Sequence, residues 1–372
     1  MIAATDRGRY VDAKRRPHRV LHLIPSDGIG GVEMAAHSLP AGSHGDIAFQ
    51  KYFMAPDPTH TRRNPADTFG PAASLNSLSV YLAAIRFVLR TNPDLLIASL
   101  WRSVLVMLVC KVMRPSLKTV VFLHNTGTEH AIDRVANAVG MALATEIWTD
   151  SSATLKARVN SAARRKGKVV SFLLRRRTAH LPIGVRPTFI FWGRLRKQKN
   201  VCRSVALFEK ILARHPGATF RIIGPDGGEQ ERIAATIRAL GIEGAVSMLG
   251  PKDSDQIAEA ATSARFYLQT SEHEGMAISV VEAMQFGLIP IVSPVGEIAT
   301  YCTHWRNAVF IRDEAQALTD VDAILEDPAK AQAMARAAFD AWAGVPLYRE
   351  DVLRLAHDLL TGPDPVERQS PL

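Results

Sequence analysis

The chain has 372 residues, of which 47% are hydrophobic and 22% charged, so it can form two domains with separate cores and is not expected to be disordered. Its three cysteines, Cys110, Cys202 and Cys302, are too far apart for a zinc-finger motif or a disulfide framework and fit a reducing compartment. The net charge of +9 is unevenly distributed, because Ser151–Phe208 holds fifteen Lys or Arg and no Asp or Glu, which indicates an anionic partner.

The N-terminal half alternates short apolar runs with helical patterns. The runs at 19–26, 94–100, 119–125 and 146–150 predict buried strands, and "LSVYLAAIRFVLR" (78–90) predicts a helix between the first two of these runs. The apolar stretch at 95–113 is interrupted by two charged residues, so it predicts a strand followed by a core-facing helix and not a membrane span. The first residues also lack the apolar core of a signal peptide. We therefore expect a cytoplasmic protein.

The same pattern restarts after the basic block. Strands are predicted at 188–195, 218–225, 246–251, 265–271 and 288–294, with helical patterns such as "QERIAATIRALG" between them. Continuous apolar strands that alternate with helices form parallel sheets covered on both faces. The sequence therefore predicts an α/β protein with two doubly wound, Rossmann-like domains.

Pro and Gly interrupt the pattern between 179 and 187 and divide the chain. We predict a basic N-terminal segment at 1–18, an N-terminal domain at 19–180 and a C-terminal domain at 181–345. Residues 346–372 form a late amphipathic helix and a tail, and the helix is expected to cross the domain junction. Open parallel sheets bind ligands beyond the carboxyl ends of their strands, so a cleft between the two domains is the expected ligand site.

The first strand ends in the glycine-rich turn "SDGIGGVE" (26–33), which leads into a helix and offers backbone N–H groups to an anion. It is not a dinucleotide fingerprint, because Glu33 occupies the third glycine position, and no GK[ST] follows as in a P-loop. A tight turn that merely needs glycine is the alternative. In the second half, "GRLRKQKN" (193–200) places Arg194 and Lys199 directly after a strand, where a phosphate would bind, although a solvated basic loop has the same composition.

The segment "SEHEGMAISVVEAMQFG" (271–287) combines a loop acid, Glu274, with a second acid, Glu282, in the helix that follows. Gly275 allows backbone to approach a ligand, and the helix start from about Ala277 attracts an anion. Eight residues at helical rise span roughly 12 Å, which suits the distance from the sugar to the ribose of a nucleotide sugar. The alternative is one surface acid followed by one acid on a helix face.

These motifs, "GGVE" (30–33), "GRLRKQKN" (193–200), "RIIGPDGG" (221–228) and the Glu-x7-Glu segment within 271–293, resemble those of the retaining glycosyltransferases of family four, which have the GT-B fold. They occur in the family's order and span most of the chain. The Glu-x7-Glu segment is a specific signal, whereas "GGVE" alone is weak.

The resemblance implies roles on the phosphate and ribose side of a donor site. Gly30 and Gly31 would lie against the donor phosphate and the acceptor. Arg194 and Lys199 would hold the diphosphate and stabilise its charge as it leaves, and Glu282 would hold the ribose.

The resemblance also implies roles around the transferred sugar. Glu274 would bind that sugar, and Gly275, Met276 and Ala277 would offer backbone N–H groups. His124, in "FLHNTG", matches a histidine of the family's N-terminal domain that lies near the sugar, although a packed loop histidine is the alternative.

The implied reaction is transfer of a sugar, with retention, from a nucleoside diphosphate sugar to a hydroxyl of a glycan or lipid-linked acceptor. Fixed donors would stabilise the leaving diphosphate, so neither a cofactor nor a metal is expected. Asp320 and Asp322 form a DxD, but they lie in a helical pattern and are interpreted as a solvated face. A nucleotide-sugar epimerase or hydrolase of the same fold, or a two-lobed sugar-binding protein, are the alternative functions.

The basic segments also suggest a second partner. "KRRPHR" (14–19), "RRKGK" (164–168) and "RRR" (175–177) are predicted to hold the protein on an anionic membrane surface, as a peripheral protein of polysaccharide synthesis. Nucleic acid is not expected, because the aromatic content is only 7% and no RNA- or DNA-binding motif is present. The nucleobase, the sugar, the acceptor, the linkage and the oligomeric state are not determined by the sequence.

Overall fold

The structure is a computed structural model that describes residues 16–28, 30–58, 64–128, 130–178 and 187–362. Within these residues the chain forms two sheets, one from each half of the sequence, with helices packed on both. The predicted two-domain α/β fold is confirmed. The predicted domain boundary at 180–181 and most of the predicted basic segment at 1–18 lie outside the described residues.

The N-terminal sheet has the strand order β2-β3-β1-β5-β6-β7-β8, with β4 paired to β3. Its pairs are parallel except for β2 with β3. The strands are β1 (His18–Ser26), β2 (Gly42–His44), β3 (Ile47–Ala55), β4 (Thr68–Phe69), β5 (Leu95–Ser99), β6 (Lys118–Leu123), β7 (Glu146–Thr149) and β8 (Gly167–Val169). The helices are α1 (Gly31–Ser38), α2 (Leu78–Thr91), α3 (Leu100–Met113), α4 (Ala131–Leu143) and α5 (Ser152–Arg158).

The C-terminal sheet is parallel throughout, in the order β11-β10-β9-β12-β13-β14. Its strands are β9 (Thr188–Trp192), β10 (Thr219–Ile223), β11 (Val246–Met248), β12 (Phe266–Gln269), β13 (Ile289–Val292) and β14 (Val309–Phe310). The helices are α6 (Val201–Arg214), α7 (Gln230–Leu240), α8 (Ser254–Thr262), α9 (Ile278–Gln285), α10 (Ile298–Tyr301), α11 (Glu314–Glu326), α12 (Pro328–Asp340) and α13 (Tyr348–Thr361).

The central strands are buried on both faces, which explains their unbroken apolar sequences. All of Leu95–Ser99, Phe266–Gln269 and Ile289–Val292 are buried. Such strands lose almost all their apolar surface to the helices above and below them, so each domain has its own core.

Helix α13 follows the C-terminal domain in sequence but packs on the N-terminal one. Its first residue, Tyr348, is buried against Phe122 and Phe172, and the Tyr348 backbone N–H donates to the Leu173 carbonyl at 2.8 Å. At the other end, Lys118 Nζ donates to the Leu359 carbonyl at 2.7 Å. The helix therefore ties the end of the described chain back to the first sheet.

Strand β3 was not predicted from the sequence, because "IAFQKYFMA" contains a lysine in its middle. Lys51 is nevertheless buried, and its ammonium lies 3.0 Å from Asp67 and donates to the Ala36 carbonyl. Burial lowers the pKa of Lys51, and the neighbouring carboxylate opposes that change. A buried charge is tolerated in a central strand only with such partners.

The interpretation of Asp320 and Asp322 as a solvated face is wrong for the first of them. Both lie in α11, as the helical pattern predicted, but Asp320 is buried and accepts from Gln316, with the His304 imidazole 3.5 Å away. Asp322 pairs with Arg214 at 2.6 Å. Both acids are thus held in side-chain contacts within the C-terminal domain.

Among the described residues, no helix combines the length and the apolar character that a membrane span requires.

Candidate active site

The loop between β12 and α9 places a buried ion pair at the carboxyl end of the C-terminal sheet. Glu274 is 7% exposed, and its Oε1 accepts from Lys199 Nζ at 2.7 Å and from Gln269 Nε2 at 3.1 Å. The Gln269 amide is itself fixed, because its Oε1 accepts from the Tyr267 hydroxyl and from Ser279 Oγ. Two predicted site residues thus meet, and the carboxylate is held by its neighbours in one orientation.

Helix α9 begins beside this pair, with its first turn open to the cleft. Ala277 is its N-cap in the left-handed region at φ +53°, and no side chain caps the first N–H groups. A helix start without a cap is an anion site by geometry and dipole. Met276 precedes it and packs against both domain cores, while its carbonyl accepts from the Tyr301 hydroxyl at 2.9 Å.

Gly275 brings this loop against the N-terminal domain. A Cβ on Gly275 would lie 2.9 Å from Asp150 Oδ2 and 3.1 Å from the His124 carbonyl oxygen, which is closer than real side chains pack. On the other side of the loop, Gly296 has φ +56° and a Cβ there would clash with the Glu274 carbonyl. Glycine at both positions lets three backbone segments from two domains meet.

The glycine turn after β1 faces the same helix start from across the cleft. A Cβ on Gly31 would lie 3.2 Å from Ile278 Cδ1, in the first turn of α9. Gly30 is the N-cap of α1, and the Glu33 carboxylate lies over Gly30 and accepts a hydrogen bond from the Glu33 backbone N–H in the first turn. The starts of α1 and α9 therefore point into one space between the domains.

Arg194 lies near this space. Burial raises the pKa of Glu33, in the first turn of α1, and the charges of Arg194 and Arg196 oppose the rise. Gly227 packs closely against the side chains of Arg194 and Arg196, since a Cβ on Gly227 would lie 3.0 Å from Arg194 Cγ. The predicted cationic loop thus reaches the glycine turn of the other domain.

Glu282 projects from the second turn of α9 into contacts that the sequence did not predict. Its Oε1 accepts from Arg177 Nη2 at 2.9 Å, and its Oε2 accepts from Trp192 Nε1 at 3.2 Å. Arg177 also donates to Ser254 Oγ at 2.6 Å, and its guanidinium lies over the Phe286 ring. Arg177 was missed because it stands 105 residues from Glu282 in a segment interpreted as a lipid-binding cluster.

His124 follows β6 and lies at the N-terminal wall of the cleft. It is 7% exposed, and its Nε2 is hydrogen-bonded to Ser99 Oγ at 2.9 Å; the same hydroxyl is hydrogen-bonded to His22 Nε2 at 2.8 Å. Burial lowers the pKa of both imidazoles to about 3, with Lys51 adding to the effect at His22. Both rings are therefore neutral at neutral pH.

A carboxylate that the sequence analysis missed, Asp150, lies beside His124. Its Oδ1 accepts from Ser151 Oγ and from Thr154 Oγ1, and burial raises its pKa to about 6, with Glu297 as a further, smaller cause. Glu297 belongs to the C-terminal domain, and its Oε2 accepts from the Ala153 N–H at 2.6 Å. An acid at the end of a strand was the available signal for Asp150, since β7 ends at Thr149.

Next to His124 the N-terminal domain has a cavity of about 200 Å³. Its walls include Glu33, Trp101 and Arg158, together with three residues that each present a buried polar atom without a hydrogen-bond partner in the described chain. These atoms are His124 Nδ1, Arg102 Nε and Asn137 Oδ1. Buried polar groups are normally paired, so a group of three around one cavity indicates a polar ligand.

The described residues contain no group of three or more His, Cys, Asp or Glu side chains placed to hold a metal ion.

Most of the predicted site residues meet at the cleft between the two domains. Glu274 and Lys199 pair with each other, Gly275 touches the His124 segment, and Gly31 touches the start of α9. Glu282 pairs instead with Arg177. The structure brings these residues together, and their roles toward a ligand stay predictions.

Sequence comparison finds a family match within the C-terminal half of the chain. Residues 177–341 match the family described as glycosyl transferases group 1. A GDP-mannose:cellobiosyl-diphosphopolyprenol alpha-mannosyltransferase of Xanthomonas campestris is 29% identical over 135 residues, which is 36% of each chain. A glycogen synthase of Mycobacterium tuberculosis is 27% identical over 151 residues, covering 40% of this chain and 36% of the synthase. The matched region thus spans about a third of the length of these curated relatives, and the predicted resemblance is confirmed.

Solved structures show likeness over nearly the whole chain. The Anabaena protein Alr3699/HepE, solved in complex with UDP and glucose, has a TM-score of 0.72 and 18% identity and covers 92% of this chain and 99% of its own. Sucrose-phosphate synthase from Thermosynechococcus elongatus has a TM-score of 0.73 and 15% identity, covering 91% and 98%. At these identities the likeness shows the fold, which is the predicted GT-B fold.

Proposed function

We propose that this chain, whose residues 177–341 belong with the group 1 glycosyl transferases, is a retaining glycosyltransferase. It transfers a sugar from a nucleoside diphosphate sugar to a hydroxyl of a glycan or lipid-linked acceptor. The observation that supports this most is the buried Lys199–Glu274 pair at the open start of α9, facing Gly31 and the His124 segment of the other domain. An anion site beside a sugar-binding carboxylate suits a donor of this kind.

The donor would lie along α9. Its diphosphate would meet the N–H groups at the start of α9 together with Lys199 and Arg194. At the start of α1 it would have to displace the Glu33 carboxylate. The transferred sugar would then lie between Glu274 and His124. The ribose would have to compete with Arg177 for Glu282, or bind to the two together, because those side chains are paired at 2.9 Å.

Catalysis is expected to be mainly electrostatic. As the bond to the sugar breaks, negative charge grows on the leaving diphosphate, and fixed donors around it stabilise the transition state by about 2.7–4 kcal/mol for each well-placed group. The leaving phosphate accepts the proton of the incoming hydroxyl, so no separate base is required. This assignment needs no metal ion and no cofactor.

We propose that the acceptor binds in the cavity beside His124. The three unpaired polar atoms there would hydrogen-bond hydroxyl groups, and Trp101 offers a ring face of the kind that packs on sugars. Arg102 and Arg158 also line this cavity, and the acids Glu33 and Asp133 line it with them, so its lining offers both donors and acceptors to a polar acceptor. The Xanthomonas campestris relative is named for a diphosphate-linked polyprenol acceptor, which agrees with a role in polysaccharide synthesis.

A lipid-linked acceptor would bring the protein to a membrane, as the basic segments suggest. In the segment at 175–177, Arg177 is engaged by Glu282, and Arg176 donates to the carbonyls of Trp342 and Val345. Arg175 and Arg176 are nevertheless exposed. In the segment at 164–168, Arg164, Arg165 and Lys168 are exposed as well.

The test begins with a thermal-shift panel of uridine, guanosine and adenosine diphosphate sugars, followed by donor turnover with and without candidate acceptors. A transferase needs the acceptor for rapid turnover, whereas an epimerase or hydrolase consumes the donor alone. The anomeric configuration of the product, read by NMR, decides retention. If no nucleotide sugar raises the melting temperature or is consumed, the proposal fails.

A further inference from the structure

One face of the N-terminal domain exposes an unusual number of large apolar side chains. Of the thirteen such residues that are exposed in the described chain, seven lie on α3 and α4. Those on α4 are 44–60% exposed and recur on one side of the helix. They are Ile132, Val135, Val139 and Leu143 on α4, and Val109, Val112 and Met113 on α3. We call this surface the apolar face.

The two helices form one continuous surface, because they pack against each other along their length. Gly140 of α4 lies against α3, since a Cβ there would contact Val104 and Met107. Near the start of the helices, the rings of Trp101 and His130 are 5.0 Å apart. Soluble proteins rarely leave a contiguous apolar patch of this kind uncovered, and such a patch usually marks an interaction site.

The charged side chains of α3 and α4 that are not buried are all basic. Within α3 and α4 the one acidic residue is Asp133, which is buried, while Arg134 is exposed. The basic segment at 164–168 borders the end of α4, because Lys166 Nζ donates to the carbonyls of Ala142 and Ala144 at 3.2 and 3.0 Å. An apolar surface bordered by cations suits the interface of an anionic bilayer, where apolar side chains enter the acyl boundary and cations meet the head groups.

We propose that the apolar face is the surface by which this protein docks on an anionic membrane. Asp133 and Asn137 of α4 also line the cavity beside His124. A bilayer on this face would therefore place the head group of an amphiphilic acceptor at the cavity; this last step rests on the proposed function, whereas docking itself does not.

The test is flotation of the full chain with acceptor-free vesicles of phosphatidylcholine, alone or mixed with phosphatidylglycerol. The parent protein should float with the anionic vesicles, and less so as salt rises. The double variant Val135→Asp/Val139→Asp should lower the partition coefficient at least tenfold. Leu249→Asp, which changes an exposed apolar residue of the other domain, is the matched control and should float like the parent.

Two results would overturn docking on a bilayer. One is equal flotation of parent and double variant; the other is a parent protein that binds neither vesicle. A parent dimer that the double variant converts to a monomer, measured by light scattering, would instead show that a second copy covers the apolar face. Because no donor is used, failure here leaves the proposed function standing, and failure of the proposed function leaves this result unaffected.

A second inference rests on the hydrogen bonds behind His124. Ser99 Oγ lies between two imidazole nitrogens, at 2.8 Å from His22 Nε2 and 2.9 Å from His124 Nε2, and Ser99 and His22 are fully buried. A hydroxyl has one proton to donate. If it donates to one imidazole, it accepts from the other, so one Nε2 is protonated and the other is not.

We propose that Ser99 and His22 are positioning residues that fix the tautomer of His124. His124 lines the cavity and its Nδ1 has no hydrogen-bond partner in the described chain. The ability of Nδ1 to donate or accept is the opposite of that of Nε2. The pair behind the ring thus decides which hydrogen bond His124 offers to a ligand. This role in turnover rests on the proposed function; the coupling of the two tautomers does not.

The test is ¹⁵N NMR of histidine-labelled protein, with the signals assigned by the variants His22→Asn and His124→Asn. The parent should show the two imidazoles neutral and in opposite tautomers. Ser99→Ala should shift the His124 nitrogens toward a tautomer mixture and lower kcat about tenfold with little change in the donor KM, and Ser99→Thr should restore both. Identical tautomers in the parent would overturn the proposal, as would a Ser99→Ala variant with an unchanged His124 spectrum.

Discussion

The ion pair between Lys199 and Glu274 joins the two groups that are expected to act on opposite parts of a donor. In the structure they neutralise each other at 2.7 Å. Replacing Glu274 by Gln keeps the shape and the oxygen that accepts from Gln269, but it removes the negative charge. Lys199 would then be left with its positive charge less compensated, which favours binding of a diphosphate.

The size of the effect follows from the burial of the pair. Glu274 is 7% exposed and the Lys199 side chain 17%, so solvent screens the pair only weakly. A hydrogen bond to a charged group at such a site contributes roughly 1.5–3 kcal/mol. Glu274→Gln should therefore lower kcat about tenfold to a hundredfold, while the Kd of the nucleoside diphosphate stays equal or decreases. Lys199→Met should instead raise that Kd by a similar factor.

The assay is calorimetric titration with the nucleoside diphosphate found in the thermal-shift panel, together with initial rates at saturating acceptor. Glu272→Gln is the control, because Glu272 is an exposed acid in the same loop and its loss should change neither quantity. The assignment would be refuted by equal changes in diphosphate affinity for Glu274→Gln and Lys199→Met. Parent rates in both variants would refute it as well.

Three further predictions concern the same site and its support. Glu282→Ala should weaken binding of the nucleoside diphosphate tenfold to a hundredfold. The double variant Glu282→Ala/Arg177→Ala should lose no more affinity, because the two side chains act as a pair. Additive losses of affinity in a titration would contradict this. Activity should persist in EDTA, with Arg194→Ala lowering kcat about a hundredfold and Arg194→Lys failing to restore it; loss of rate in EDTA that Mg²⁺ or Mn²⁺ restores would show a metal instead. The buried pair His22 and His124, with pKa values near 3, should destabilise the protein in acid, because below about pH 6.5 the unfolded chain binds two protons that the folded chain does not. Between pH 5.5 and 4.5 this costs about 2.5 kcal/mol of unfolding free energy, and proton uptake measured on unfolding at pH 5 should exceed that of a His22→Asn variant by about one proton.

The parallel-sheet architecture was predictable because it depends on local sequence. Strands such as Leu95–Ser99 and Phe266–Gln269 are buried on both faces, so their whole sequence is apolar and the signal is strong. The edge strand β11 was predicted, but strand β3 and the short strands β2, β4, β8 and β14 were missed. Their burial depends on partners distant in sequence, as Lys51 depends on Asp67.

The same distinction holds at the site. Glu274 and Lys199 were found because the acid in a glycine-containing loop and the cation after a strand are each visible locally. The residues that were missed act across the fold: Asp150 faces Gly275 from the other domain, and Arg177 reaches Glu282. Neither has a local pattern that distinguishes it from an ordinary strand-end acid or surface base.

Two carboxylates that the sequence analysis did not single out, Asp150 and Glu297, affect how the contact between the two domains depends on pH. Asp150 and Glu297 lie near each other at the domain contact, and burial raises the pKa of Asp150 to about 6. The ordinary pKa of an aspartate is near 4. If the cleft opened and Asp150 became hydrated, the protein would therefore bind fewer protons between about pH 4 and 6 than it does in the closed form. The closed contact is therefore favoured at the acid end of this window and weakens as the pH rises through 6. The Glu297 carboxylate adds to this weakening, because its charge also raises the pKa of Asp150 and repels Asp150 once that side chain is ionised. The hydrogen bond that Glu297 accepts from the Ala153 N–H, at the start of α5, is a contact between the domains that does not depend on the charge of Asp150.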